Sequence, residues 1–421
     1  MQFENTIEFA RAADAADSLK NFRQQFIIPV IDGKEQVYFL GNSLGLQPKA
    51  TAAALQEVLT QWATYGVEGF FMGNKPWMDY HDSLTPALAK IVGALPHEIS
   101  VMNQLTVNLH LMMISFYRPM GKRNKIICEA KAFPSDQYMF ETHIKHYGFS
   151  PEDILIEVAP RAGEHTIRTE DILAAIEIHK DDLALVLWGG LNYYTGQVFD
   201  MAAITHAAHA AGALAGFDLA HAAGNIELQL HQWNVDFACW CSYKYLNSGP
   251  GAVGGVYIHE RFHNDISLQR YAGWWGYDKA TRFKMEKGFI PINTAEGWQL
   301  STPSILLYAA HKAALDIFEQ ASMPALHSKR LQLSNYAWWL LQQLPIKNFT
   351  ILTPDNTAER GCQISLLMHR NGKAVYDALM QDGFITDWRE PDVIRFAPVP
   401  LYNTYEEVFC FVNKLEQLLS A

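Results

Sequence analysis

The sequence predicts an α/β protein, with a large domain built on a mostly parallel sheet covered by helices and a smaller α+β domain beside it. Three observations carry this. Between about residues 95 and 260, short apolar segments alternate with amphipathic or alanine-rich ones, the pattern of a parallel sheet with helices on both faces. A long helical stretch follows, from Thr302 to Leu344. Beyond it, strand-like and helix-like segments alternate again over a much shorter length.

In order, Ile126 to Glu129, Ile154 to Val158, Leu183 to Trp188 and Ala213 to Asp218 read as buried strands. Glu170 to His179 and Ala202 to Ala211 read as helices between them. Val253 to Ile258, in and after the glycine-rich stretch 249–255, reads as a further strand. The helical stretch from Thr302 should break near Met323-Pro324, because proline cannot continue a helix interior. Gln363 to Met368 and Val393 to Phe396 read as strands, and Gly372 to Met380 and Tyr405 to Leu419 as helices. The expected division is an N-terminal segment 1–50 that partly packs on the small domain, a large domain 51–310 and a small domain 311–421.

Composition narrows the function classes. With 421 residues, 49% hydrophobic and 18% charged, the chain can bury a large core in two or three domains. The net charge of −11 argues against a nucleic-acid partner, which needs a basic face. Lys122-Arg123 with Lys125, and Lys329-Arg330, are short basic clusters that read as solvated surface. The five cysteines are an odd number, mostly in apolar surroundings, and read as buried free thiols in a reducing compartment. Cys239 and Cys241 are too closely spaced for a zinc site, so no metal is expected. The first residues carry Glu4 and Glu8 without an apolar run, and no stretch reaches membrane-spanning length. The cytoplasm is therefore the expected location, and no membrane partner is expected.

The chemistry concentrates around Lys244. The apolar segment from Phe237 ends in Ser242-Tyr243-Lys244 and enters a glycine turn. Desolvation at a buried strand end favours the neutral amine, and a neutral amine attacks an aldehyde to form a Schiff base. A lysine at a strand end can equally reach solvent through its flexible stem. Asp218 changes that weighting, since it closes a predicted strand 26 residues earlier. Carboxyl ends of parallel strands form the ligand crevice, so both residues would face one site. Pyridoxal 5'-phosphate needs an acidic partner to keep its ring nitrogen protonated, and Asp218 suits that role. His221 could hydrogen-bond the phenolic oxygen of that ring, or Asp218 itself. Thr106 precedes the helix-like run from Val107 to Phe116; as its cap it would leave free amides for a phosphate. Phe133-Pro-Ser-Asp136 reads as a helix start, with Phe133 able to stack on the ring and Ser135 and Asp136 close behind.

At this point several long motifs carry a family resemblance. Gly216-Phe-Asp-Leu-Ala-His-Ala-Ala-Gly-Asn225 and Asp236-Phe-Ala-Cys-Trp-Cys-Ser-Tyr-Lys-Tyr-Leu-Asn247 resemble kynureninase. So do Arg282-Phe-Lys-Met285 and Val393-Ile-Arg-Phe-Ala-Pro-Val-Pro-Leu-Tyr402, and the likeness runs from about Gly41-Asn-Ser-Leu-Gly45 to the last helix. The resemblance implies a fold-type-I, dimeric, pyridoxal-phosphate-dependent hydrolase that splits L-kynurenine into anthranilate and L-alanine, in tryptophan degradation or NAD precursor synthesis. By that match Lys244 forms the Schiff base and Asp218 pairs with the ring nitrogen. Tyr243 and Thr106 bind the phosphate with Leu105 beside them, Phe133 stacks on the ring, and Asp136 and His221 complete the cofactor shell. Tyr243 would also protonate the alanine fragment. Trp274 and Thr302 match positions that reach the cofactor from the neighbouring subunit, and Arg395 matches the arginine that grips the substrate carboxylate. Two stretches depart from the animal pattern: Thr302 stands where many animal members have Asn before the proline, and the stretch 66–77 near the presumed aryl pocket looks longer. Both bear on the choice between kynurenine and its 3-hydroxy form; kynurenine is the expected substrate.

Two rivals remain at this stage. A cysteine desulfurase or class-V aminotransferase shares the class-level features; the first needs a reactive cysteine on a mobile loop. A protein without pyridoxal phosphate, either a Ser-His hydrolase or a binding module, is the other.

Overall fold

A computed structural model describes residues 2–420. The large sheet has seven strands: β1 (Ile99–Val101), β2 (Lys125–Glu129), β3 (Leu155–Val158), β4 (Leu183–Gly189), β5 (Leu214–Asp218), β6 (Phe237–Trp240) and β7 (Gly255–Ile258). Their order is β1-β7-β6-β5-β4-β2-β3. The pairs from β6 through β3 are all parallel, while β7 is antiparallel to both β6 and β1. The expected sheet is therefore present, with β7 running against the other six. The direction of β7 could not be read from hydropathy, because alternation along a strand is the same whichever way it runs.

Helices cover both faces. Along β4, Val186 and Trp188 enter one apolar cluster while Leu185 and Leu187 enter the other. That two-residue alternation between two buried faces explains the near-continuous apolar run in the sequence. Asp200 caps the helix Met201–Ala210 by accepting from the amide of Ala203 at 2.9 Å. The long helical stretch breaks where expected: Ile305–Ala321 and Met323–Gln343 are separated by Ser322, whose φ of 63° no helix can carry.

A second, four-stranded antiparallel sheet lies in the C-terminal part: β8 (Phe349–Ile351), β9 (Ile364–Met368), β10 (Asp387–Arg389) and β11 (Val393–Phe396), in the order β8-β9-β11-β10. It shares a separate apolar core with the helices Met323–Gln343, Gly372–Gln381 and Tyr405–Ser420. The N-terminal helix Ile7–Ala16 joins that core through Ala10 and Ala13. Its Asp14 carboxylate accepts from the amides of Tyr405 and Glu406 at 2.7 and 2.9 Å, capping the last helix from across the whole chain.

One surface expectation fails. Lys329 and Arg330 are buried, not solvated. Lys329 pairs with Asp17 at 2.7 Å, and Arg330 donates to the carbonyl of Arg360 at 2.6 Å. A buried charge persists only with such partners, and these lie too far along the chain to be seen beside the pair. Four cysteines are buried and free as expected, while Cys410 is exposed.

Candidate active site

The carboxyl ends of β2, β4, β5 and β6 converge where the strand order reverses, the usual ligand crevice of an open parallel sheet. The cleft there is lined by Gln104, Leu105, Thr106, Glu129, Phe133, Ser135, Asp136, Tyr193, Asp218, His221, Tyr243 and Lys244, with Gly189, Leu191 and Ala220. Nine residues named from the sequence thus share one hollow.

Lys244 lies just past β6. Its Nζ is 2.9 Å from His221 Nε2, and 5.9 Å from the ring centres of both Phe133 and Tyr243. Its loop is held from behind by the Gly41–Gly45 motif: the Gly45 amide donates to the carbonyl of Tyr243 at 2.8 Å. A Cβ on Gly45 would stand 2.3 Å from the Lys244 carbonyl oxygen, so only glycine allows this approach. Burial first, and then the Lys244 charge, hold the His221 imidazole well below its usual range. It is therefore neutral; with Nε2 accepting from Lys244, Nδ1 carries the proton. That Nδ1 is buried and meets no acceptor in the chain.

Asp218 closes β5 and is partly buried. One carboxylate oxygen accepts from the Ala220 amide at 2.7 Å, so its local role is to turn the chain, and no helix follows it. Its side-chain partner is Asp136, not His221. Burial raises both carboxyls, and the Asp218 charge raises Asp136 further. Asp136 is accordingly the more readily protonated of the two, and Asp218 accepts its hydrogen bond. The other Asp136 oxygen is buried without a partner.

Phe133 is the N-cap of the helix Pro134–His146, with Ser135 and Asp136 in its first turn. Its ring stands edge-on to Tyr193, centres 5.3 Å apart. Thr106 is not the cap it was expected to be. The helix starts two residues earlier than expected and spans Leu105–Phe116, because Asn103 takes a left-handed φ of 47° and turns the chain into it. Thr106 then sits in the first turn, where backbone amides have no intrahelical acceptor and can bind an anion.

These features suit pyridoxal phosphate. A primary amine shares the cleft with a partly buried carboxyl from the adjacent strand end. A helix start offers amides beside Thr106, and two buried polar atoms, His221 Nδ1 and Asp136 Oδ1, await partners that the chain does not supply.

Trp274, Thr302 and Arg395 are not in the cleft lining. Trp274 is 41% exposed. Its loop is pinned by buried Arg282 of the Arg282-Phe-Lys-Met285 motif, which donates to the carbonyls of Trp275 and Tyr277 at 2.6 and 3.0 Å. Thr302 lines a separate hollow, which shares Gln104 with the cleft. Arg395, on β11, is 1% exposed and directed at Asp387 and at the carbonyl of Tyr193.

Glu129 and Tyr193 were missed. Glu129 ends β2 as Asp218 ends β5, so the same strand-end signal could have found it. Its carboxylate accepts from Asn192 Nδ2 at 3.0 Å, and Asn192 in turn accepts from the amides of Tyr194 and Thr195. Burial pushes Glu129 up to about 7 from a reference of 4.5. The folded state then binds the extra proton between those values, so stability falls as pH rises through that window, by up to about 3 kcal/mol above pH 7. Glu129→Gln should therefore match the parent in melting temperature near pH 4.5 and exceed it at pH 8. Identical melting temperatures at both would refute the shift.

Comparison with known proteins agrees with this geometry. The sequence profile of the kynureninase C-terminal domain matches residues 326–415. The chain is 55% identical to the kynureninase of Flavobacterium johnsoniae over 420 residues, 99% of each chain. It is 51% identical to that of Myxococcus xanthus over 415 residues, 98% of this chain and 97% of the other. Among solved structures, the cystine C-S lyase C-DES in complex with cysteine persulfide superposes with a TM-score of 0.76 at 19% identity, covering 90% of this chain and 97% of the other. The cysteine desulfurase CsdA of Escherichia coli gives 0.75 at 17%, covering 96% and 98%. Those two likenesses carry the fold; the near-full-length identities carry the family, and the chain belongs to the kynureninases, pyridoxal-phosphate-dependent hydrolases of fold type I.

Proposed function

We propose that this chain hydrolyses L-kynurenine to anthranilate and L-alanine. The observation that carries the reading is Lys244 Nζ at 2.9 Å from a neutral His221, one strand from the partly buried Asp218–Asp136 pair. Bound pyridoxal phosphate supplies the aldehyde that Lys244 engages and an electron sink for the carbanion formed at the substrate α-carbon. Asp218 holds the proton of the ring nitrogen, with Asp136 anchoring it. Leu105 and Thr106 at the helix start bind the phosphate together with Tyr243, and Ser135 stands beside Phe133, which covers the ring. The Lys244 Nζ takes the proton from the substrate α-carbon as general base and then returns it as acid. Water adds to the γ-carbonyl, anthranilate leaves, and the Tyr243 hydroxyl delivers the proton that completes alanine. Burial raises that phenol above its ordinary range, so it is protonated at neutral pH as the role requires.

Arg395 grips the α-carboxylate, for which a guanidinium fork is suited. Arg395→Gln should raise KM about 100-fold with a smaller fall in kcat, because a charge-assisted pair is lost in a buried setting. An unchanged KM would remove Arg395 from this role.

The working form is a homodimer in which Trp274 and Thr302 complete the partner's cleft; the half-exposed Trp274, away from its own cleft, supports this. The chain divides into an N-terminal segment 1–50, a large domain 51–310 and a small domain 311–421. The cytoplasm suits its four buried free thiols, and tryptophan degradation or NAD precursor synthesis suits the reaction. Among the described residues no helix is long and apolar enough to cross a membrane. A cysteine desulfurase reading is disfavoured by Cys362: it is buried, its amide is tied to Asn225 at 2.9 Å, and burial pushes its thiol up to about 12. The deciding experiment incubates the purified protein with L-kynurenine and, separately, 3-hydroxykynurenine. Equimolar anthranilate and alanine, faster from kynurenine, is the expected result; release of neither pair of products would overturn the reading.

A further inference from the structure

We propose that Arg389 is a second recruiting charge for the substrate's α-carboxylate, one that keeps Arg395 available against its own counter-ion, Asp387. The inference rests on the reading of Arg395 given above and concerns residues outside the cofactor cleft.

Asp387 and Arg395 lie directly opposite each other on the antiparallel strands β10 and β11. Arg395 Nε donates to Asp387 Oδ2 at 2.7 Å, and its Nη2 donates to the same oxygen. A third donor, Arg389 Nε, reaches that oxygen at 2.9 Å. The remaining Arg395 nitrogen, Nη1, donates to the carbonyl of Tyr193, whose ring lines the cleft. Without Arg389, Arg395 and Asp387 would form a closed buried pair of zero net charge. An incoming carboxylate would then have to displace Asp387 with no electrostatic gain.

With Arg389 present, two guanidinium groups share one carboxylate and one positive charge remains. Arg395 is 1% exposed and Arg389 37%, so the surplus lies on the side open to solvent. The adjacent carboxyl, Glu390, is turned to Trp388 Nε1 at 3.0 Å. The ligand class is an α-amino acid carboxylate. On its arrival Asp387 can pass to Arg389 while Arg395 turns to the substrate, so neither carboxylate is left without a cation.

The test is a charge balance on the holoenzyme. Binding of L-alanine is followed through the visible band of the cofactor, and turnover of L-kynurenine in parallel. Arg389→Gln should weaken alanine binding and raise KM, each about tenfold, with kcat changed less than threefold. Arg389→Lys should stay close to the parent. The double variant Asp387→Asn/Arg389→Gln should recover most of the lost affinity, because Arg395 then carries the unshared charge; a merely structural role for Arg389 would not be repaired by removing its neighbour. Kynurenamine, which lacks the carboxylate, should bind all of these equally. A KM within twofold of the parent for Arg389→Gln, no recovery in the double variant, or an equal loss for kynurenamine would each overturn the proposal. Arg395→Gln separates the two levels: if it too leaves KM unchanged, the reading of Arg395 is what fails.

Discussion

Lys244→Ala should lower anthranilate formation by more than about 1,000-fold. Two separate functions end with that one nitrogen. It is the only amine lining the cleft among the described residues, so the covalent link to the cofactor has no substitute. It is also the only lysine positioned there to move the α-proton, with a neutral His221 beside it that cannot act as the acid. The protein itself should stay folded, because Lys244 is only partly buried and lies in the loop past β6 instead of filling a core. Anthranilate fluorescence measures the rate, and borohydride reduction of the visible band checks the link. A variant within tenfold of the parent rate would exclude Lys244 as the anchor. A parent protein whose band borohydride cannot remove would instead favour the reading without pyridoxal phosphate.

Asp218→Asn should be the next most damaging change, about 100-fold or more in kcat. The amide keeps the size of the side chain but not the charge that holds a proton on the ring nitrogen. It also strands Asp136. The Asp218 charge and hydrogen bond both raise Asp136 in the parent, so in the variant Asp136 should ionise more easily. The rate of Asp218→Asn should then vary with pH in a range where the parent is flat. Activity within threefold of the parent at every pH would show that the ring nitrogen needs no acidic partner here.

Much of this site was legible because one rule covers it. Residues that end parallel strands share a crevice, and both Lys244 and Asp218 end apolar runs that are visible in the sequence. Glu129 ends another such run and could have been found the same way. Other features depend on what the sequence does not write locally. The left-handed turn at Asn103 moved a helix start by two residues and changed Thr106 from a cap to a first-turn residue. Lys329 and Arg330 look like surface until their partners are known, and those partners, Asp17 and the Arg360 carbonyl, come from distant segments. Asp387 and Arg389 are an ordinary charged pair in the sequence; only the register of β10 on β11 puts them on Arg395.

The cap that Asp14 places on the last helix has a consequence for how the protein is made. Asp14 and Tyr405 are 391 residues apart. At about 5–20 residues per second on the ribosome, the N-terminal helix emerges roughly 20–80 s before its partner exists. Its apolar face, Ala10 and Ala13, lacks the cover of the last helix throughout that interval. The small-domain core therefore closes only once the last helix is made, so a segment synthesised early is among the last to be folded.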